Sequence, residues 1–125
     1  MHAYLKNYRM APRKVRVVAR MTEGKRVLDV LHTLSFMPNK AALMLRKLIA
    51  SAAANARQTA PGLQDTEIVV KSVSVDKGVT YRRFQPRAFG RASPLHRECS
   101  HVRVQLAAAN HADTQIEVAE PAKKK

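Results

Sequence analysis

The chain's 125 residues carry 23 Lys and Arg against 9 Asp and Glu, a net charge of +14, and a domain this basic repels itself unless a polyanion offsets the charge. No apolar run approaches the roughly 20 residues of a membrane span, and the single cysteine, Cys99, excludes an intrachain disulfide. With 5% aromatic residues and no Trp, the length fits one domain around a small aliphatic core.

His2 to Met10, HAYLKNYRM, sets Tyr4, Leu5 and Tyr8 among polar residues and predicts a strand with Lys6 and Arg9 along it. The first twenty residues lack the continuous apolar segment of a secretory signal and are expected to fold rather than to address the chain elsewhere. Pro12 then stands where a first helical turn leaves its N–H unpaired anyway. Val15, Val18, Ala19 and Thr22 recur at helical spacing, while Arg13, Lys14, Arg16 and Arg20 cover the remaining circumference. That pattern predicts a helix with a basic face, stopped by Gly24. Val27, Val30, Leu31 and Leu34 predict a short second helix that ends before Pro38. Asn39 suits the N-cap of a third helix, Lys40 to about Arg57. Its two apolar rows, Ala41, Leu45, Leu48, Ala52 and Ala42, Ile49, Ala53, Ala56, mark it as the core of the body.

A Pro-Gly loop, Gln58 to Thr66, separates helices from strands. The strand Glu67 to Val75 alternates imperfectly, with Val69, Lys71, Val73 and Val75 on one face and Ile68 and Val70 on the other; a bulge or contacts on both faces would account for it. Asp76, Lys77 and Gly78 predict a bend. The returning strand is clean, with Val102, Val104 and Leu106 alternating against Arg103 and Gln105. Residues 109–125 form a polar tail that is expected to be disordered.

Between the two strands lies GVTYRRFQPRAFGRASPLHRECSH, Gly78 to His101. Its five arginines, Arg82, Arg83, Arg87, Arg91 and Arg97, face one acid, Glu98, and its apolar residues follow no sustained period. Such a segment buries too little apolar surface to offset the entropy of ordering, so an external partner is expected to order it. Pro86 and Pro94 disfavour a central ladder, and Gly90 near the midpoint places the tip of a projecting arm around Arg87 to Ala92. Limbs of about ten residues at roughly 3.3 Å each give a reach on the order of 30 Å. Guanidinium forks pair with phosphate and lie flat on bases, which points to nucleic acid. The first helix points the same way, because no acid between Met1 and Thr22 is available to neutralise its cations.

Catalysis is not expected. Glu98, Cys99, Ser100 and His101 adjoin in sequence, but neighbours on an extended strand point to opposite faces. One Cys and five scattered His match no zinc spacing, and four dispersed glycines form no phosphate loop, so neither metal nor cofactor is expected.

PRKVR at Pro12 to Arg16, SAAANA at Ser51 to Ala56, RRFQPRAFGRASPL at Arg82 to Leu95 and Ser100-His101-Val102 occur in one order. In that order they resemble the universal large-ribosomal-subunit protein twenty-two family, over nearly all of Tyr4 to Leu106. The resemblance implies an α+β fold: three helices packed on a small three-stranded antiparallel sheet, with a long extended β-hairpin arm. A single domain would span residues 1–108, the arm taking 78–101. It implies a non-enzymatic constituent of the large ribosomal subunit that binds ribosomal RNA, supports subunit assembly and lines the nascent-peptide exit tunnel with its hairpin tip. The candidate RNA-binding residues are Lys6, Arg9, Arg13, Lys14, Arg16, Arg20, Arg82, Arg83, Arg87, Arg91, Arg97 and His101. Arg87, Ala88, Phe89, Gly90, Arg91 and Ala92 would form the tunnel-lining tip. The implied partners are large-subunit ribosomal RNA, neighbouring ribosomal proteins and, transiently, nascent peptide, with no membrane and no homo-oligomer. The expected location is the cytoplasmic ribosome, an organellar ribosome being the alternative. From the residues alone, a free-standing basic architectural protein that binds nucleic acid is the competing reading, with a small hydrolase behind it. Ala11, Glu98 with Cys99, and Phe89 depart from the serine, the Arg-Thr pair and the polar tip residue usual in the family.

Overall fold

The computed structural model describes residues 1–60 and 65–108; the expected disordered tail and the Pro-Gly turn at 61–62 lie outside them. Strand β1 (His2–Tyr8) leads into helices α1 (Pro12–Arg20), α2 (Val27–Phe36) and α3 (Lys40–Thr59). Two long strands, β2 (Ile68–Pro86) and β3 (Ala92–Ala108), complete a three-stranded antiparallel sheet in the order β1-β3-β2. The fold is the α+β arrangement the sequence implies, with the hairpin arm formed by β2 and β3.

The two apolar rows of α3 are the spine of the core. Ala42, Ile49, Ala52 and Ala56 are fully buried, and the small alanines let α3 lie close against the sheet and the other helices. Val15, Val18 and Ala19 of α1 and Val27, Val30 and Leu34 of α2 close the same cluster. From the sheet come Ala3, Ile68, Val70, Val73, Val75, Val102, Val104 and Leu106. Deleting the Ile49 side chain in such a packed site removes about 2 to 5 kcal/mol, which is why this row fixes the body.

The irregular alternation of β2 is a bulge. Register slips between Val70 and Ser72, so Lys71 is extruded and both Ile68/Val70 and Val73/Val75 reach the core face. The carboxylate of Glu23 satisfies the edge there, its Oε1 accepting the Val73 N–H at 3.0 Å. Gly24, at φ 74°, turns the chain onto the same edge: its N–H donates to Val70 O at 2.9 Å, and Val70 N–H donates to Lys25 O at 3.0 Å. The helix itself ends earlier, at Arg20, and the Thr22 hydroxyl donates to Ala19 O at 2.7 Å, so Thr22 is buried without being helical.

Pro12 occupies the first turn of α1 as expected, and Ala11 at its N-cap makes no side-chain bond. Asn39 holds the N-cap position of α3 but likewise makes no side-chain cap; its carbonyl accepts the Ala42 N–H at 2.9 Å. The predicted bend at Asp76 to Gly78 is instead a second bulge in an unbroken strand, with register slipping between Lys77 and Thr80. Beyond it the ladder continues to Pro86 opposite Ala92, so the arm is a paired ribbon along its whole length. Pro86 and Pro94 fit because each strand of a two-stranded ribbon has a free edge.

Arg16 ties the helical layer to this ribbon's root. Its Nε and Nη2 both donate to Val75 O, at 3.1 and 2.9 Å. Replacement Arg16→Ala is therefore expected to destabilise the fold by about 1 kcal/mol and lower Tm by roughly 5 °C. Arg16→Lys, which offers one ammonium where the fork offers two donors, should recover only part of this in a thermal melt.

Candidate nucleic-acid interface

The arm gives the interface its reach. Every residue from Tyr81 to Ala92 is exposed, including Arg82, Arg83, Arg87 and Arg91, and Arg97 is exposed on the return strand. A paired ribbon alternates its side chains, so Arg83 opposite Leu95 and Tyr81 opposite Arg97 share one face, and Arg82 opposite His96 takes the other. Cations therefore line both faces. Backbone pairing sets the shape of the ribbon, and a two-stranded ribbon with no packed face is marginal in water.

The tip is tightly turned. Arg87 N–H donates to Arg91 O at 2.8 Å across a short 3-10 turn, Ala88–Gly90. Phe89 and Gly90 both take positive φ, 58° and 67°. Glycine adopts that conformation freely; for Phe89 it is strained, and the ring is 97% exposed. Arg87, Ala88, Phe89, Gly90, Arg91 and Ala92 thus stand together at the far end, the aromatic outermost.

At the root, Glu98 interrupts the basic run but is neutralised in place: Lys77 Nζ lies 2.9 Å from its Oε1. His101 is half-buried. Its Nδ1 accepts the Asn7 N–H at 3.1 Å, and its ring stacks on Tyr4 with centroids 6.2 Å apart. Asn7 has φ 53°, beside a register slip between Leu5 and Tyr8. The histidine thus pins a left-handed kink that steers the end of β1 toward the arm. Arg9, carried there, lies 6.0 Å over the Tyr81 ring. The Tyr8 hydroxyl donates to Lys40 O at 3.3 Å, and burial pushes its pKa up. With Glu98 on Lys77 and His101 on Asn7, the run Glu98 to His101 has no nucleophile-to-base pairing. The Ser100 hydroxyl is buried and meets no hydrogen-bond partner among the described residues.

A third group lies on the sheet face away from the helices. Tyr4 stands opposite Arg103 in the β1–β3 ladder, and both the Arg103 guanidinium (5.6 Å) and Lys6 Nζ (5.8 Å) sit over its ring. Sequence reasoning named Lys6 and His101 here but missed Tyr4 and Arg103, although Arg103 alternates outward on β3. On α1, Arg13, Lys14, Arg16 and Arg20 are all exposed, and the Arg16 guanidinium also donates to Val75 O. The predicted residues therefore form three basic patches, on arm, helix and sheet face, with Arg16 and His101 also hydrogen-bonded to the backbone of the body.

Among the described residues no cluster of His, Cys, Asp or Glu could hold a metal ion, and no helix is long and apolar enough to cross a membrane.

The chain is similar to known proteins over most of its length. The family model described as ribosomal protein L22p/L17e matches residues 3–107. A protein of Myxococcus xanthus named large ribosomal subunit protein uL22 is 46% identical over 108 residues, covering 86% of this chain and 95% of its own length. One of the same name from Aliarcobacter butzleri is 43% identical over 111 residues, 89% of this chain and 96% of the relative. A third, from an Anaeromyxobacter strain, is 47% identical over 108 residues, 86% and 75% of the two chains. With the match running from β1 through both limbs of the arm to the last core positions of β3, the chain belongs to the ribosomal protein L22p/L17e family.

Proposed function

We propose that the chain, a non-enzymatic structural constituent of the large ribosomal subunit, binds ribosomal RNA, supports subunit assembly and lines the nascent-peptide exit tunnel with the tip of its arm. The observation that carries this reading is the arm itself: a paired ribbon about 30 Å long, exposed from Tyr81 to Ala92, with arginines on both faces and almost no acid. A ribbon of that width enters spaces between RNA helices that a compact domain cannot, and its guanidinium groups meet phosphates on either side. Lys6, Arg9, Arg13, Lys14, Arg20, Arg82, Arg83, Arg87, Arg91 and Arg97 supply RNA contacts, with Arg103 and Tyr4 added on the sheet face. Arg16 and His101 contribute through whatever face they leave open. Contact with neighbouring ribosomal proteins and, at Phe89, with nascent peptide completes the reading. The cellular place is the cytoplasmic ribosome.

A tagged chain is expected to co-sediment with large subunits through moderate salt. A photoreactive group in place of Phe89 should label nascent chains on translating ribosomes and little else. Recovery mainly with DNA would favour the free-standing architectural protein instead, and labelling confined to RNA would remove the tip from the tunnel wall.

A further inference from the structure

Where the arm leaves the body, a groove of about 750 Å³ opens between the end of β1, the start of α1 and the root of the ribbon. Arg9, Lys14, Arg83 and Arg97 line it together with Tyr81 and Leu95. Tyr81 is half exposed and Leu95 38% exposed, so the groove presents an aromatic ring and an aliphatic side chain among four cations. The Arg9 guanidinium already lies over the Tyr81 ring, and Glu98, which also lines the groove, is paired with Lys77.

We propose that this groove is a binding site for a single unpaired RNA nucleotide, its base stacked on the Tyr81–Arg9 surface and its flanking phosphates held by Lys14, Arg83 and Arg97. The inference rests on the RNA-binding reading and makes it specific at one place. A duplex is convex and keeps its base faces inside the stack, so it meets a concave groove only through its phosphates. A base turned out of the stack presents a free π-face, the surface that aromatic rings and guanidinium planes recognise. Phosphates on both sides of such a base match cations on both sides of a ring. An acidic peptide would satisfy the cations but would leave the Tyr81–Arg9 plane without a flat partner.

The site depends on parts that sequence order keeps apart. Asn7 must hold its left-handed kink, pinned by His101, for Arg9 to reach Tyr81, and Tyr81 stands opposite Arg97 in the ladder. His101 is accordingly a positioning residue for this groove.

The test uses the full chain and two synthetic RNA hairpins identical except that one carries a single bulged 5-iodouridine and the other is fully paired. The bulged hairpin should bind about tenfold more tightly, a value within the range measured for loss of one base–aromatic stack. Irradiation should crosslink the iodouridine to Tyr81, mapped by mass spectrometry. Tyr81→Ala should erase the preference for the bulge while Tyr81→Phe keeps it, and circular dichroism should show the helices intact in both. Equal binding of the two hairpins, or crosslinks only at Tyr4 or Phe84, would overturn the groove proposal and leave RNA binding standing. Tighter binding of a Glu-rich peptide than of either hairpin would overturn both.

Discussion

Replacing Arg87 and Arg91 together with Glu is expected to reduce incorporation of the chain into large subunits to less than about a tenth of normal, with the helical body intact. Both residues are exposed at the far end of the arm, and neither side chain has a part in the core. The tip's closing bond, Arg87 N–H to Arg91 O, joins main-chain atoms and survives the change of side chain. What changes is the sign of the charge at the point that, on the proposed reading, travels deepest among phosphates. Each contact to single-stranded RNA contributes about 0.7 to the slope of log K against log salt, so losing two should flatten that slope by roughly 1.4. Repulsion by the two carboxylates adds to the loss. Substitution by Lys should restore most incorporation but not all, since a point charge replaces a fork. Sucrose-gradient sedimentation measures the incorporation, and circular dichroism measures the body. A fall in helix signal would mean that the tip stabilises the fold, which its exposure argues against.

The parts of this structure that sequence reveals are those in which one local rule acts alone. In α3, alanine and leucine at helical spacing leave no other way to bury two adjacent rows, and Pro12 marks the start of α1 by chemistry that needs no tertiary partner. The clean alternation of Val102, Val104 and Leu106 gave β3 for the same reason. The positions left open or misread lie where a distant residue decides. At Lys71 the alternation allows a bulge or contacts on both faces, and Glu23 with the Lys25 carbonyl, holding the edge, decide for the bulge. Asp76, Lys77 and Gly78 have the composition of a bend, yet the pairing partner across the ladder absorbs the extra residue and the strand runs on. Arg16 resembles its neighbours on a basic helix face, and only the position of Val75 O, 59 residues away in sequence, gives it an internal role. The interface follows the same division. Arginines along the arm are visible as composition, whereas the groove at its root requires Arg9, Tyr81 and Arg97 to meet through a kink at Asn7 that no local pattern announces.

The second large effect is expected at Gly78. The residue sits in the bulge where the arm meets the body, and a Cβ added there would lie 3.0 Å from His101 Nε2 and 3.4 Å from the carbonyl carbon and oxygen of Cys99. The 3.4 Å contacts are ordinary, so Gly78→Ala needs only a small shift of the imidazole and should cost less than about 1 kcal/mol. A branched side chain is different. The added methyls of Gly78→Val must enter space bounded by the backbone of the central strand, which cannot move, and by a ring held through Asn7 and Tyr4. Overpacking of this kind costs about 1 to 3 kcal/mol. The strain has two outlets: His101 yields and releases the Asn7 kink, or the bulge opens and the arm changes direction. A change of about 10° displaces the tip of an arm about 30 Å long by roughly 5 Å, enough to misplace Phe89 and both tip arginines. Gly78→Val should therefore lower stability by about 2 kcal/mol in urea melts and reduce subunit incorporation several-fold, with Gly78→Ala close to wild type. Because the clash is with the imidazole, the penalty should shrink by about 1 kcal/mol in a His101→Ala background, a coupling that a double-mutant cycle reads directly. Additive effects of the two substitutions would mean that the strain falls on the Cys99 backbone instead, and that His101 does not set the direction of the arm.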